Sequence, residues 1–293
     1  MSHDDATPPM RVLVLGASGM LGNAVTRRFA EDPRFAVVAT VRSPSIAGAF
    51  PAAVRPMLLA WDDIGHADNL EALFDYTRPQ LVINCIGLVK QIPGGSSVLS
   101  ALPLNSMLPH RLARLCGLVG ARLVHVSTDC VFSGDKGRYV ESDRPDARDV
   151  YGLSKFMGEV DYPHAITLRT SIIGTELTGA RSLVGWFLAQ QGQVRGFRRA
   201  IFSGLPTCEL AQVIRDVVVP RPDLHGLYHV SSAPIDKDTL LRLVANSYDH
   251  RINIVPDDTS VIDRSLDSTR FREATGYCPP EWPALVAEMH AYG

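Results

Sequence analysis

Short apolar runs alternate with amphipathic stretches through the first 170 residues of the chain. Residues 11–15 (RVLVL) and 35–41 (FAVVATV) are typical of strands that are buried on both faces. Further strands are predicted at residues 56–60, 81–86, 122–127 and 165–169, and helices at residues 23–30, 70–76, 109–119 and 149–159. Strands that alternate with helices form crossover units, so this pattern predicts an α/β fold with a doubly wound parallel sheet.

A glycine-rich turn, GASGMLG, separates the first predicted strand from the first predicted helix. Glycine permits a tight turn and lets backbone N–H groups approach a pyrophosphate, while the helix N-terminus adds partial positive charge. A plain strand-to-helix turn is the alternative, but the position between a strand and a helix favours nucleotide binding. The predicted contacts are Gly16, Ser18, Gly19, Met20, Leu21 and Gly22.

Arg42 ends the second predicted strand, where an acid would bind the 2′-hydroxyl of NAD. A guanidinium instead suits a 2′-phosphate through charge-assisted bonds, so NADP is the predicted cofactor and NAD the alternative. A surface arginine without a ligand is the competing interpretation. Asp62, with Asp63 beside it, follows the third predicted strand and is predicted to reach the adenine, although a solvated loop aspartate fits equally well.

The alternation of strands and helices loosens after residue 170. Helices are predicted at residues 183–190, 210–218 and 239–245, and loops around the prolines at 220–222 and 279–280. We predict a dinucleotide-binding Rossmann domain formed by residues 1–170 together with about 205–232. Residues from about 171 to 204 and from 233 to 293 are predicted to form a smaller, mixed substrate-binding part.

Tyr151 and Lys155 lie four residues apart on a predicted helix, and therefore on one face of it. Reduction of a carbonyl needs a proton donor for the oxygen, and a nearby ammonium is expected to lower the phenol pKa. The pair alone is a weak signal, because an exposed helix pair has the same spacing. Thr128 strengthens the interpretation, since it directly follows the fifth predicted strand at the edge where parallel sheets bind ligands. Asp129 is interpreted as a structural residue of the loop.

Five segments, GASGMLG, VINCIG, VSTDCVFSG, YGLSKFMGE and LRTSIIG, follow one another in an order that resembles the extended short-chain dehydrogenases/reductases. STDCVFSG with LRTS, and later GLPTCELA, GLYHVSS and RSLDSTRF, are similar to the dTDP-4-dehydrorhamnose reductase branch. The resemblance covers nearly the whole chain. It implies NADPH-dependent reduction of a 4-keto-6-deoxy sugar nucleotide, dTDP- or UDP-linked, for surface polysaccharide precursors.

The resemblance also assigns roles to individual residues. Thr128, Tyr151 and Lys155 match the catalytic triad, and Asn105 matches a position that supports the lysine. The implied cofactor contacts further along the chain are Asn84, Cys85, Gly87, Tyr151, Lys155, Thr170 and Ser171. The candidate substrate contacts are Lys90, Thr128, Asp129, Val131, Arg181, Arg198, Pro206 and Thr207.

Departures from the branch leave alternatives open. The segment IGLVKQIPGG, with Lys90 and Gln91, replaces an alanine-rich stretch and puts the identity of the sugar in doubt. An epimerase or dehydratase of the same fold would use the same triad, although Cys130 stands where a dehydratase has a second acid. A non-catalytic regulatory subunit is the alternative of a different class, and the intact triad argues against it.

The amino-acid composition excludes several classes of binding partner. The net charge of −2 gives no basic excess, so nucleic acid is not an expected partner. Five cysteines without Cys-x-x-Cys or zinc-site spacing predict reduced thiols and no metal. The polar first ten residues and the lack of a long apolar run predict a cytoplasmic protein without membrane contact. A sugar nucleotide is the expected partner, and a homodimer is compatible with these features.

Overall fold

A computed structural model describes residues 8–89 and 97–293 of the chain. The strands in chain order are β1 (Met10–Leu15), β2 (Phe35–Val41), β3 (Leu58–Ala60), β4 (Leu81–Asn84), β5 (Arg122–Thr128), β6 (Ala165–Thr170), β7 (Ile172–Ile173), β8 (Gln193–Phe197), β9 (Ala200–Phe202), β10 (Leu205–Pro206), β11 (Gly226–His229), β12 (Ile235–Asp236), β13 (Asn253–Asp257) and β14 (Ile262–Asp263). The α-helices are α1 (Met20–Ala30), α2 (Ala67–Thr77), α3 (Val98–Ala101), α4 (Leu108–Val119), α5 (Val150–Met157), α6 (Leu183–Leu188), α7 (Thr207–Gln212), α8 (Lys237–Ser247), α9 (Thr269–Thr275) and α10 (Trp282–Tyr292).

Seven strands form one sheet in the order β11-β6-β5-β4-β1-β2-β3, and every neighbouring pair is parallel. The predicted doubly wound α/β sheet is therefore confirmed. The chain order reverses between β1 and β4, which leaves a crevice at the carboxyl ends of these two strands. In open α/β sheets, ligands bind at this switch point. The glycine-rich turn follows β1 and thus lies at the expected place.

Several predicted boundaries differ from the structure for local reasons. The third strand begins only at Leu58, because Pro56 lies in a short 3-10 turn and has no amide for the sheet. The fourth strand ends at Asn84, whose side-chain oxygen accepts a 3.1 Å hydrogen bond from Ile86 N and turns the chain. The helix predicted at residues 109–119 begins at Leu108, and a π-helical segment, Leu102–Met107, leads into it from α3.

Short elements dominate the chain after β6. β12, β9 and β14 form a small sheet, while β8 pairs with β13 and β7 with β10. These strands, together with α9 and α10, were absent from the sequence prediction. One buried hydrophobic cluster joins both regions, for example Val14 of β1, Phe29 of α1, Leu210 of α7 and Leu285 of α10. The division into a Rossmann domain and a substrate-binding part therefore stays a prediction, and β11 supports it by returning to the main sheet. Within the described residues, no helix has the length and apolar character needed to cross a membrane.

Candidate functional site

In the glycine-rich turn, two glycines are required by the fold, whereas the third has space beside it for a ligand. Gly16 has a left-handed backbone with φ of +83°, and a Cβ there would lie 2.9 Å from Ile86 Cγ1. A Cβ on Gly22 would overlap the carbonyl oxygen of Gly16. At Gly19, the nearest described atom to a Cβ is that same oxygen, at 3.4 Å. Gly16 and Gly22 close the turn, whereas the face at Gly19 is open to the close approach of a ligand.

The start of α1 offers backbone N–H groups. The first N–H groups of a helix have no intrahelical partner, and here no described side chain caps them and the first turn contains no acid. Leu21 is buried, so its contribution to a ligand would come from its backbone, while Ser18 and Met20 are half-buried. This arrangement fits an anionic group such as a pyrophosphate, which the helix dipole also favours.

Arg42, Asp62 and Asp63 lie just beyond the carboxyl ends of β2 and β3, at the same edge of the sheet. The Arg42 side chain is exposed, and it makes no hydrogen bond or ion pair with any residue of the ranges 8–89 and 97–293. Asp62 accepts a 2.9 Å hydrogen bond from Asp63 N, and Asp63 has a φ of +45°. Arg42 is thus a cation available for a 2′-phosphate, and its contact with a cofactor stays a prediction.

The turn after β4 passes close to the side chain of Lys155. Asn84 is fully buried, and its amide donates to Nδ1 of His125 at 3.1 Å. Its side chain therefore stabilises the turn from the protein interior. Cys85 is half-buried beside it. A Cβ on Gly87 would lie 3.9 Å from Lys155 Nζ. The backbone around Gly87 is therefore near Lys155, and cofactor contacts from this segment stay predicted.

Helix α5 holds the two central residues. The Asp149 carboxylate caps the helix by accepting from Gly152 N at 2.9 Å. A Cβ on Gly152 would overlap the carbonyl oxygen of Cys130, so glycine is what allows α5 to approach the end of β5. The hydroxyl of Thr128, the last residue of β5, lies close enough to the phenol of Tyr151 to act on its pKa. Thr128 and Tyr151, which lie 23 positions apart in sequence, thus meet at the carboxyl edge of the sheet.

The sequence predicts that Lys155 lowers the pKa of Tyr151, but that pKa is raised in this structure. Burial, and then the neighbouring Cys130, raise the pKa of Tyr151 above its usual value, and Thr128 opposes this shift. The Lys155 ammonium instead donates to the carbonyl of Val126 at 2.7 Å. Burial lowers the pKa of Lys155 to about 8, against the opposing effect of Glu159. Tyr151 therefore keeps its proton at neutral pH, as a proton donor must.

Asn105 binds the loop after β4 directly, and its support of the lysine stays a prediction. Its Oδ1 accepts from Leu88 N at 2.8 Å, and its Nδ2 donates to Leu88 O and to Ser154 Oγ, each at 3.0 Å. The described residues contain no direct hydrogen bond between Asn105 and Lys155. Asn105 therefore fixes the segment next to Gly87, which in turn lies against Lys155.

The end of β6 completes the site. Thr170 is buried and donates to Ser171 O at 3.1 Å, and Ser171 lies close enough to Asp129 to act on its pKa. The Thr128 hydroxyl donates to Asp129 at 3.2 Å. Burial raises the pKa of Asp129, and the nearby Arg264 opposes this shift. Asp129 thus lies between the ends of β5 and β6, next to Thr128, which is predicted to be catalytic.

A buried polar network behind the site was not predicted from the sequence. Glu159 accepts from Arg169 Nη2 at 2.6 Å and from Ser127 Oγ at 2.7 Å. Arg169 also bonds Nε2 of His229 at 2.8 Å, so the network joins the segment after α5 to β5, β6 and β11. These residues are far apart in the sequence. They meet because β5, β6 and β11 are neighbours in the sheet.

The candidate substrate residues are spread over the molecule. Val131 is buried against Phe132 and Tyr139, so its side chain belongs to a small core. Pro206 and Thr207 are buried at the start of α7, and a Cβ on Gly174 would lie 2.6 Å from Thr207 Oγ1. Two arginines differ in setting: Arg181 is exposed, and Arg198 forms an exposed ion pair with Asp258. Lys90 and Gln91 lie outside the described residues.

Arg264 was missed because nothing in its local sequence sets it apart. It lies in RSLDSTRF, directly after β14, and the tertiary fold places its guanidinium beside Cys130 and Asp129. Elsewhere, the described residues contain no cluster of three or more acids, histidines or cysteines that is able to hold a metal ion.

Known proteins are similar to this chain in sequence and in fold. Residues 10–239 match the family model described as the RmlD substrate binding domain. A dTDP-4-dehydrorhamnose reductase of Mycobacterium tuberculosis (strain H37Rv) is 33% identical over 178 residues, which are 58% of this chain and 52% of that protein. The match thus spans about half the length of that relative. A second dTDP-4-dehydrorhamnose reductase, from Aggregatibacter actinomycetemcomitans, is 25% identical and covers 96% of this chain and 99% of its own length.

Among solved structures, the dTDP-4-dehydrorhamnose reductase of Bacillus anthracis in complex with NADP superposes with a TM-score of 0.78. The superposition covers 99% of this chain and all of that one, at 20% identity. At this identity the likeness concerns the fold, and it extends through the C-terminal part as well as the main sheet.

Proposed function

The chain belongs to the RmlD substrate binding domain family, and from this premise we propose that it reduces a 4-keto-6-deoxy sugar nucleotide with NADPH. The observation that carries the proposal is the proximity of the Thr128 hydroxyl and the Tyr151 phenol at the carboxyl edge of the sheet. The phenol, which keeps its proton, is the proton donor for a carbonyl oxygen, and the Thr128 hydroxyl, which donates to Asp129 in this structure, would turn toward that oxygen when the substrate binds. The names of the two reductase relatives support a dTDP-linked sugar, and a UDP-linked sugar is the second option.

The cofactor site fits a phosphorylated dinucleotide. Gly19 and the uncapped start of α1 would hold the pyrophosphate, and Arg42 would bind the 2′-phosphate. Asp62, Gly87 and Ser171 lie at the same edge of the sheet and would line the remainder. The bound cofactor supplies the hydride for the carbonyl carbon.

The residues of the chain supply the proton. Thr128 donates a hydrogen bond that orients the carbonyl oxygen, and Tyr151 transfers its proton to that oxygen as the carbonyl becomes an alcohol. The phenolate that remains takes a proton from solvent before the next turnover. Lys155, when protonated, stabilises that phenolate through its positive charge. The raised pKa of Tyr151 suits this direction of the reaction, because the acid is protonated at the start.

The direct test uses NADPH deuterated at the transferable position and a dTDP-4-keto-6-deoxy sugar. The proposal expects stoichiometric loss of NADPH absorbance and deuterium at C4 of the product. A product that is epimerised or dehydrated without net loss of NADPH would replace the reductase with an epimerase or dehydratase. No turnover together with a stable complex with another enzyme would favour a regulatory subunit.

Two further parts of the proposal concern the setting of the protein. The substrates of the proposed reaction are cytoplasmic metabolites, so we place the protein in the cytoplasm, and cell fractionation tests this. A homodimer is also proposed. Light scattering on the purified protein distinguishes it from a monomer.

A further inference from the structure

Arg264 occupies a position that neither the triad nor the cofactor explains. Its Nε donates to the carbonyl of Phe132 at 2.8 Å, and its Nη1 lies 3.7 Å from Cys130 Sγ. Cys130 in turn lies close enough to Tyr151 to raise the pKa of the phenol. Arg264 therefore lies one residue, Cys130, away from the proton donor, whereas the Lys155 ammonium donates to the carbonyl of Val126.

The surrounding backbone is built to hold this guanidinium. Gly134 has a φ of +93°, and a Cβ there would lie 3.1 Å from Arg264 Cγ, so the arginine stem passes over a position without a side chain. On the other strand, Asp263 N donates to Gly134 O at 2.8 Å, and the Asp263 carboxylate accepts from Ser265 N at 2.9 Å. Bonds on both sides of Arg264 thus fix the direction of its side chain.

The charge of Arg264 is not neutralised by the part of the chain that the structure describes. No salt bridge to Arg264 occurs among residues 8–89 and 97–293, and Nη2 makes no hydrogen bond to them. The Asp129 carboxyl group interacts with Arg264, but burial drives it toward its neutral form, and it already accepts a hydrogen bond from Thr128. The half-buried guanidinium therefore keeps donors for an oxygen acceptor that comes from outside the chain.

We propose that Arg264 is a substrate-binding residue that donates to an oxygen of the sugar ring next to the keto carbon. This inference rests on the proposed function, and it deepens it by assigning a specificity determinant to the segment after β14. A sugar with a hydroxyl or carboxylate oxygen at this position gains a charge-assisted bond, whereas a deoxy position leaves the guanidinium without a partner. Arg264 would thereby select the substituent next to the reacting carbon.

Steady-state kinetics of Arg264→Gln and Arg264→Lys with the dTDP-4-keto-6-deoxy sugar test the inference. Arg264→Gln is expected to raise KM for the sugar nucleotide about 10- to 100-fold, because a charged hydrogen bond is lost, while the Kd for NADPH stays unchanged. Arg264→Lys recovers part of the loss. Arg251→Gln, at an exposed arginine of the C-terminal part, is the matched control. A KM within about twofold of the wild type in a folded Arg264→Gln variant would overturn the inference.

A second measurement does not depend on the folding of the variant. In a Cys278→Ser variant, which keeps Arg264 and lacks the exposed thiol, Cys130 is alkylated with iodoacetamide and quantified by mass spectrometry. Bound dTDP-glucose, a stable analogue, is expected to protect Cys130, because it would cover the adjacent Arg264. Binding of dTDP-glucose without protection would overturn this inference alone. If neither dTDP-glucose nor the keto sugar binds, both this inference and the proposed function are overturned.

Discussion

The ammonium of Lys155 donates a 2.7 Å hydrogen bond to the backbone carbonyl of Val126. This bond anchors α5 to β5, two residues before Thr128, which is predicted to be catalytic. Lys155 is almost completely buried, and burial lowers its pKa from 10.5 to about 8, although Glu159 and Cys85 favour the charged form. The Lys155 ammonium, one helical turn from Tyr151, therefore loses its charge at a lower pH than an exposed lysine does.

The first prediction is a loss of activity as pH rises through about 8. A lysine with a lowered pKa carries its charge below that pKa and loses it above, and the neutral amine no longer stabilises the Tyr151 phenolate. The measurement is kcat/KM against pH. Lys155→Arg, at a lower overall rate, keeps its charge and should lack this basic limb. The same limb in Lys155→Arg would assign it to another group.

Tyr151→Phe removes the proton donor and keeps the ring. We expect kcat to fall by roughly 10²–10⁴, the usual contribution of general acid catalysis. NADPH affinity should change little, since the ring still packs. Tyr76→Phe, at an exposed tyrosine of α2, is the matched control and should retain wild-type activity. Wild-type turnover by Tyr151→Phe would remove Tyr151 from the mechanism.

The glycines of the turn should separate folding from cofactor binding. Gly22→Ala places a Cβ against the carbonyl oxygen of Gly16, so we expect about 1–3 kcal/mol of destabilisation and a lower Tm. Gly19→Ala meets nothing closer than 3.4 Å within the described chain, so its Tm should be close to wild type. The added methyl group should nevertheless weaken NADPH binding by about tenfold or more, or 1.4 kcal/mol. Thermal unfolding and fluorescence titration of both variants decide between these expectations.

Arg42→Ala tests the choice of cofactor. Wild type should bind NADPH more tightly than NADH, and the variant should lose most of the difference, about 1.5–3 kcal/mol for a charged hydrogen bond. NADH affinity should stay unchanged, because NADH has no 2′-phosphate. Arg251→Ala serves as the control at an exposed arginine. Equal affinities for the two cofactors in the wild type would show that Arg42 has no part in the choice.

The parallel sheet was predictable because each of its first six strands is an apolar run followed by a helix or a turn signal. Thr128, Tyr151 and Lys155 were predictable for the same reason, since each stands at a fixed offset from a predicted strand or helix. The C-terminal strands were not, because β7, β10, β12 and β14 have two residues each and show no period.

Tertiary contacts set the remainder of the site. The pKa of Tyr151 depends on burial and on Cys130, and the position of Arg264 depends on the pairing of β14 with β9. Neither has a local signature. Likewise, the Asn105 side chain binds Leu88, a contact that a helix pattern does not reveal. The order of the sequence motifs indicated which residues are candidates for catalysis, whereas their electrostatic environment depends on the tertiary fold.

Glu159 should affect both stability and the pH profile. Its carboxylate pairs with Arg169, whose side chain is 1% exposed, and also accepts from Ser127. Glu159→Gln leaves the Arg169 charge buried with only the neutral His229 and the amide as partners, which is expected to cost about 3–5 kcal/mol. Because the Glu159 charge also favours the protonated form of Lys155, its removal should lower the pKa of Lys155 further below its ordinary value.

The consequence for Glu159→Gln is a basic limb of kcat/KM at lower pH than in the wild type, measured at a temperature where the variant is still folded. Glu273→Gln, at an exposed glutamate of α9, is the control and should change neither Tm nor the limb. A purely structural role predicts a lower Tm with an unmoved limb, whereas an electrostatic role through Lys155 requires the limb to shift. If the limb stays near pH 8 while Tm falls, Glu159 only holds β5, β6 and α5 together, and the charge on Lys155 is set by burial alone.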